Sequence, residues 1–354
     1  ADLGSKTGEG YSALHLAADH GFHLCLDQLI DAPRHAVPLR AMEFGEQEVT
    51  TASIEPFLLP GSPNPVAEIN RLKVEGVAAM RREVDALGDP TVSLCLRYVL
   101  EQEAGTNAAL FETGGHTMDC DAAGRLLATR RRADGRGMRL RDFVEHASSR
   151  AANLEEAHVA ALRLYSTAAF RAINNPLRDR ARRQSRRPHP LAVTVALIHD
   201  AAPRLRTVDA RGAERDARVT LYRGLCDAEI PRAFLERGGT EYAPMSFTRD
   251  LNVAIEYSTA HGAGARCSTV LRARTEGAVD RGADIAYLSC FPAERETLYP
   301  PLTHMQASWR HRAHHHLLER HRGARDRCDL QKLSGFAYLC DAFALVAKSA
   351  AGFV

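Results

Sequence analysis

Apolar residues recur about every 3.6 positions in two long stretches of the chain and alternate in short runs through its second half. The first helical stretch lies within residues 66–104, where VAEINRLKVEGVAAMRREVDAL carries the period and Gly88-Asp89-Pro90 stops it. The second is NLEEAHVAALRLYSTAAFRAINNPLRD. Asn153 is placed to cap it, with Glu156 completing a capping box. Val159, Leu162, Phe170 and Ile173 then share a face, with Tyr165 or Ser166 between them, and Asn175-Pro176 is expected to end the helix. A further helix, LAVTVALIHDAAPRL, leads into short strands: ARVTLYRG, with Val219, Leu221 and Arg223 on one face, then APMSFT, STVLRAR, DIAYLS and ETLYPP. DLNVAIEYSTA, capped by Asp250, interrupts them as a short helix. The pattern predicts an α+β fold.

Four other segments complete the plan. KTGEGYSALHLAADHGFHLCLDQLIDA, in residues 1–33, resembles one ankyrin repeat, in which His15 would hydrogen-bond the turn. About three such units are needed for stability, so a single copy implies a longer array or packing on a neighbour. Residues 34–138 read as linker and helical segment, because LLPGSPNP blocks regular helix and residues 105–138 are rich in turns. Residues 139–310 hold the strands, and residues 311–354 form a basic, His-rich C-terminal tail. RDRARRQSRRPHP has six arginines and no interleaved aromatic, so it reads as a solvated loop rather than a nucleic-acid patch.

Composition narrows the class only a little. Of 354 residues, 45% are hydrophobic and 25% charged, and the formal net charge of +2 calls for neither nucleic acid nor membrane. The eight cysteines form no C-x-x-C pair, which argues against a zinc site or disulfide framework and for a reducing, cytoplasmic setting. The apolar run AYLCDAFALVAKSAAGFV is broken by Asp341 and Lys348 and is too short to span a membrane. The sequence starts at Ala1, which suggests a processed or partial chain.

The candidate chemistry sits in three short pieces: Y-R-G at 222–224, S-F-T at 246–248 and E-R-E at 294–296. On a strand, Glu294 and Glu296 would point the same way, roughly 6.6 Å apart. Such a pair suits glycosidic chemistry, where one carboxylate steadies an oxocarbenium-like sugar and another handles a proton. Arg223 offers a planar fork for a diphosphate, and Gly224 lets a ligand approach the backbone. Ser246 is placed to fix a carboxylate rotamer.

In this order the pieces resemble the mono-ADP-ribosyltransferases of the arginine–serine–glutamate class. The similarity takes in HVAALRLYSTAAFRAINNPLRD, LYRGL, MSFTRDLNVAIEYS and YLSCFPAERETLYPPLT, and so covers about residues 139–305. It implies a split two-sheet β core beside a helical lobe, with NAD as substrate between them and a protein acceptor with an exposed arginine. It implies that Arg223 holds the NAD phosphates and ribose, and that the Gly224 backbone holds the nicotinamide amide. Ser246, helped by Thr248, would position Glu296, which would stabilise the oxocarbenium ion. Glu294 would deprotonate the incoming guanidinium, and Phe291 would recognise the target or pack its loop. Tyr257 is open between stacking on nicotinamide and a core role.

Two features depart from the family pattern. Arg249 stands where a small polar residue is usual, and no closing strand is evident after Thr303. His311 and His315 are spaced for a shared helix face but lack a carboxylate or cysteine partner, so a basic helix is expected and no metal. GAGARCST fails the context of a dinucleotide-binding turn. Two alternatives stay open: an NAD glycohydrolase, and a degenerate ankyrin-linked interaction protein.

Overall fold

The computed structural model describes residues 40–41, 54–106, 117–121, 123–209, 218–226, 228–259, 267–275, 277, 280–307 and 336–344. The ankyrin-like segment with His15 lies outside the described residues, as do His311 and His315. Contacts divide the chain after Arg40, and the described helices and the eight-stranded sheet belong to the second unit.

Local chemistry sets the helical half. Asn64 caps α1 (Pro65–Glu75) by accepting from the Ala67 amide at 3.1 Å, with Pro65 at the first helical position. Gly76, at φ 58°, turns the chain into α2 (Val77–Leu87). Gly88 closes α2 in the left-handed conformation. Asp89 then caps α3 (Pro90–Glu101) through the Thr91 and Val92 amides, at 2.8 and 3.2 Å. The periodic stretch before Gly88 therefore folds as two helices, and α3 follows the expected stop.

The next stretch also breaks up. α4 spans Glu156–Tyr165, and its box is closed by the Glu155 amide donating to His158 Nδ1 at 3.2 Å. Asn153 lies outside the helix at φ 52°, so it is not the cap. Ser166 and Thr167 turn their hydroxyls back onto the Arg163 and Leu164 carbonyls, which ends the helix. α5 follows at Phe170–Arg178 and tolerates Pro176 inside it. α4 is buried on every side from Ala157 to Tyr165, as suits the central helix of a bundle. α6 (Ala192–Asp209) packs against it. Ile54 and Leu58, placed in the linker by their proline-rich surroundings, are buried in this same helical core at 1% and 0% exposure.

The strands of the eight-stranded sheet are β1 (Val219–Cys226), β2 (Gly239–Glu241), β3 (Met245–Thr248), β4 (Cys267–Thr275), β5 (Ala283–Asp284), β6 (Glu296–Tyr299), β7 (Thr303–Ala307) and β8 (Phe336–Ala344). Helix α7 (Leu251–Thr259) lies between β3 and β4 in sequence. The strand order is β2-β7-β8-β4-β1-β3-β6-β5. The join between β1 and β3 is a single pair, Tyr222 with Thr248. On either side the pairing is extensive, from Val219–Thr275 to Cys226–Ser268 and from Met245–Tyr299 to Thr248–Glu296. The sheet thus splits into two parts hinged at one point. Leu221, Phe247, Leu271 and Tyr299 form its own apolar cluster.

Two strands lie beyond Leu302, where the sequence pattern fades and no closing strand is expected. β7 begins at Thr303, and β8 arises from the apolar run of the tail. β8 lies parallel to β4 and antiparallel to β7. Among the described residues, no helix is long and apolar enough to cross a membrane.

Candidate active site

Glu296 opens β6 opposite Thr248, and Thr248 pairs in turn with Tyr222 on β1. The hinge of the sheet therefore brings the three sequence pieces together. Ser246, two residues before Thr248, shares its face and donates its hydroxyl to Glu296 Oε1. Ser289 donates to Oε2 at 3.1 Å. With both oxygens held, the carboxylate has a fixed orientation at 6% exposure. Burial raises its pKa, while the two hydroxyls and the Arg223 charge oppose that rise.

Arg223 donates from Nη1 to the Ser246 carbonyl at 3.1 Å, and its buried Nε has no partner. Burial and the nearby Arg178 charge lower its pKa. Arg178, on α5, is held by Glu241 at 3.1 and 3.3 Å, and its Nη2 is also buried without a partner. Asn174, one turn earlier, donates to the Tyr165 hydroxyl at 3.4 Å, and that hydroxyl lies 3.3 Å from Ser246 Oγ. Two arginines thus face one buried cluster with donors to spare.

Packing accounts for a glycine at 224. A Cβ there would lie 1.8 Å from the Ala254 carbonyl oxygen and 2.7 Å from the Ser258 amide. The missing side chain admits α7 against β1.

Glu294 does not lie on a strand. It ends a short turn, Pro292–Glu294, and Arg295 follows in the left-handed region at φ 49°. That kink, uncommon for a non-glycine residue, replaces the strand geometry inferred from the i, i+2 spacing. Thr248 Oγ1 donates to the Glu294 carbonyl at 2.6 Å, and the Tyr257 hydroxyl donates to Glu294 Oε1 at 2.8 Å. Burial, with the Glu296 charge second, pushes the Glu294 carboxyl up to about 7. Phe291 packs partly buried against the helical core, and its amide donates to Ser289 Oγ at 3.1 Å. Arg249 lies within electrostatic reach of Asp209, at the end of α6.

Sequence reasoning does not single out Ser289, Tyr165, Asn174, Arg178 or Glu241. Ser289 sits in the stretch YLSCFPAE, two residues before Phe291, and that proximity is its signal. Its loop is held from behind. Arg130 donates to the Ala286 and Ser289 carbonyls at 3.0 and 2.7 Å, and Arg163 to that of Leu288 at 2.8 Å. Both arginines meet Asp119 at 2.8 Å, which also accepts from the Tyr98 hydroxyl at 2.7 Å. The Phe143 ring lies 3.8 Å from Arg163 Cζ. Among the described residues, no group of three metal-ligating side chains is found.

No protein-family model matches the chain, and no curated protein matches it. Among solved structures, the ADP-ribosyltransferase HopU1 of Pseudomonas syringae pv. tomato is similar at 19% identity and TM-score 0.39, over 58% of this chain and 83% of that one. The Vis toxin, an ADP-ribosyltransferase from Vibrio splendidus, overlaps at 16% identity and TM-score 0.36, over 59% and 83%. Plx2a, an ADP-ribosyltransferase toxin from Paenibacillus larvae, does so at 12% identity and TM-score 0.36, over 58% and 94%.

Proposed function

We propose that the chain transfers ADP-ribose from NAD to arginine side chains of a protein acceptor, releasing nicotinamide. The observation that carries this reading is the doubly held Glu296 carboxylate at the sheet hinge, with Arg223 beside it and Glu294 in electrostatic contact. Two buried guanidinium nitrogens without partners, Arg223 Nε and Arg178 Nη2, suit the two phosphates of NAD.

In this reading the bond between C1′ of the ribose and the nicotinamide nitrogen breaks, and its electron pair leaves with neutral nicotinamide. Positive charge develops on the sugar, and Glu296, already oriented by Ser246 and Ser289, stabilises it without reorganising. A guanidinium nitrogen of the acceptor then forms the new C1′–N bond. Its proton passes to Glu294, whose pKa of about 7 leaves it balanced between accepting and releasing a proton near neutrality. Tyr257 holds that carboxylate from the side, which supports a role in orienting Glu294.

Incubation with labelled NAD and agmatine tests the proposal. Wild type labels agmatine, and Glu296→Gln does not. An equal blank from both would sink the reading. Glu294→Gln loses transfer to agmatine but retains release of nicotinamide to water.

A further inference from the structure

A cavity of about 350 Å³ lies away from Glu296, under the segment that follows α5. Its walls are apolar: Phe57, Pro60, Pro176, Leu177, Tyr242 and Leu302. Its rim is cationic, with Arg182, Arg183 and Arg187. The arginine-rich run read from the sequence as a solvated loop therefore borders a formed cavity. Arg182 and Arg183 donate to the Pro188 and Leu177 carbonyls at 2.7 and 2.6 Å, and Arg186 donates to that of Pro60 at 2.6 Å. For Arg182 and Arg186, bonds to carbonyls fix the guanidinium without cancelling its charge. Arg187 is exposed, and the ion pairs among the described residues do not include Arg182, Arg186 or Arg187.

We infer that this cavity docks an acidic peptide segment that inserts one bulky apolar side chain, with its carboxylates on the arginine rim. The chemistry follows the two halves of the site. An apolar, proline-walled hollow takes an aliphatic or aromatic anchor. The positive charges of Arg182 and Arg187 select acidic flanks and reject basic ones. A nucleobase fits less well, because base recognition needs a free aromatic face. Here Arg183 Cζ already covers the Tyr242 ring at 4.2 Å, and Phe57 is tilted 47° to it.

The cavity is tied to the candidate active site through two neighbours in sequence. Pro176 and Leu177 precede Arg178, and Tyr242 follows its partner Glu241. Resting on the proposed transferase reading, the docked segment belongs to the acceptor protein and raises the local concentration of its target arginine.

Fluorescence polarisation decides the binding step, using a labelled glutamate-rich peptide with one central leucine. Wild type binds it. Replacing the leucine by serine, or introducing Arg187→Glu into the protein, weakens binding roughly tenfold. Arg187 is exposed, so the variant should melt as wild type does. No binding would overturn the proposal, and so would equal binding of the leucine and serine peptides. A single-stranded oligonucleotide that binds more tightly, with the same loss in Arg187→Glu, would assign the patch to nucleic acid instead. Attaching an arginine to the peptide tests the link to transfer: Arg187→Glu raises KM at unchanged kcat, and agmatine labelling is unaffected. If no ADP-ribose is transferred to any acceptor, the enzymatic reading fails while polarisation still decides the cavity.

Discussion

Two buried arginine–carboxylate clusters among the described residues use their charges in opposite ways. Around Asp119, two arginines share one carboxylate and also donate to the carbonyls of residues 286, 288 and 289, with Arg163 Nε left without a partner. Around Glu296, the carboxylate is held by hydroxyls, and Arg223 donates to the Ser246 carbonyl instead. The first cluster bonds its carboxylate directly to guanidinium groups and holds a loop. In the second, hydroxyls hold the carboxylate and Arg223 acts on it through its charge. A carboxylate bonded by guanidinium groups is a structural device, whereas one held by hydroxyls beside a buried guanidinium can turn its charge toward a ligand.

Breaking each cluster should therefore give a different kind of loss. Asp119→Ala leaves Arg130 and Arg163 as uncompensated buried charges, so unfolding free energy should fall by about 3–5 kcal/mol in a denaturant titration. Glu296→Gln should reduce transfer by about 10²–10³-fold while the melting temperature holds or rises, because a buried carboxylate with a raised pKa becomes neutral. A large drop in stability for Glu296→Gln would erase the contrast.

Glu294 sharpens the comparison through pH. Its folded pKa of about 7 lies above the ordinary value of 4.5, so the fold favours the protonated form. Its contribution to stability is present below pH 4.5 and is lost as pH rises through about 7. Transfer should move the other way, rising through pH 7 as the carboxylate ionises to accept the guanidinium proton. Glu294→Gln should flatten both differences, read from melting curves and from rate–pH profiles. The smallest effect is expected for Tyr257→Phe, which removes one hydrogen bond to Glu294. Transfer to agmatine should fall about tenfold or less, with nicotinamide release to water unchanged.

The legible part of the site is the part carried by short motifs. Arg223, Ser246, Thr248 and Glu296 stand at strand positions whose alternation is local and readable. The spacing finds Glu294 but not its geometry, because a turn and a positive φ at Arg295 intervene. Gly224 stands out in the sequence, but its packing does not: the space where a Cβ would lie is filled by a helix some 30 residues further along, which no local pattern encodes. Ser289, Arg178 and Glu241 reach the site through tertiary contacts alone. The helical half shows the same limit. Proline at 60, 63 and 65 suggests a linker, yet Ile54 and Leu58 are buried because α1 and α6 close over them.

The place of β8 in the sheet bears on how the chain is made. It is the last described strand in sequence, yet it lies inside, between β4 and β7. During synthesis, β1 and β4 can pair as soon as both leave the ribosome, and β2 and β7 can pair soon after. Among the described strands, only residues 336–344 fill the gap between these two ribbons. A nascent chain is therefore left with two open edges after β7 has emerged, and open edges are prone to pair wrongly. Completion of this half of the sheet waits for residues 336–344, about 30 residues further along the chain.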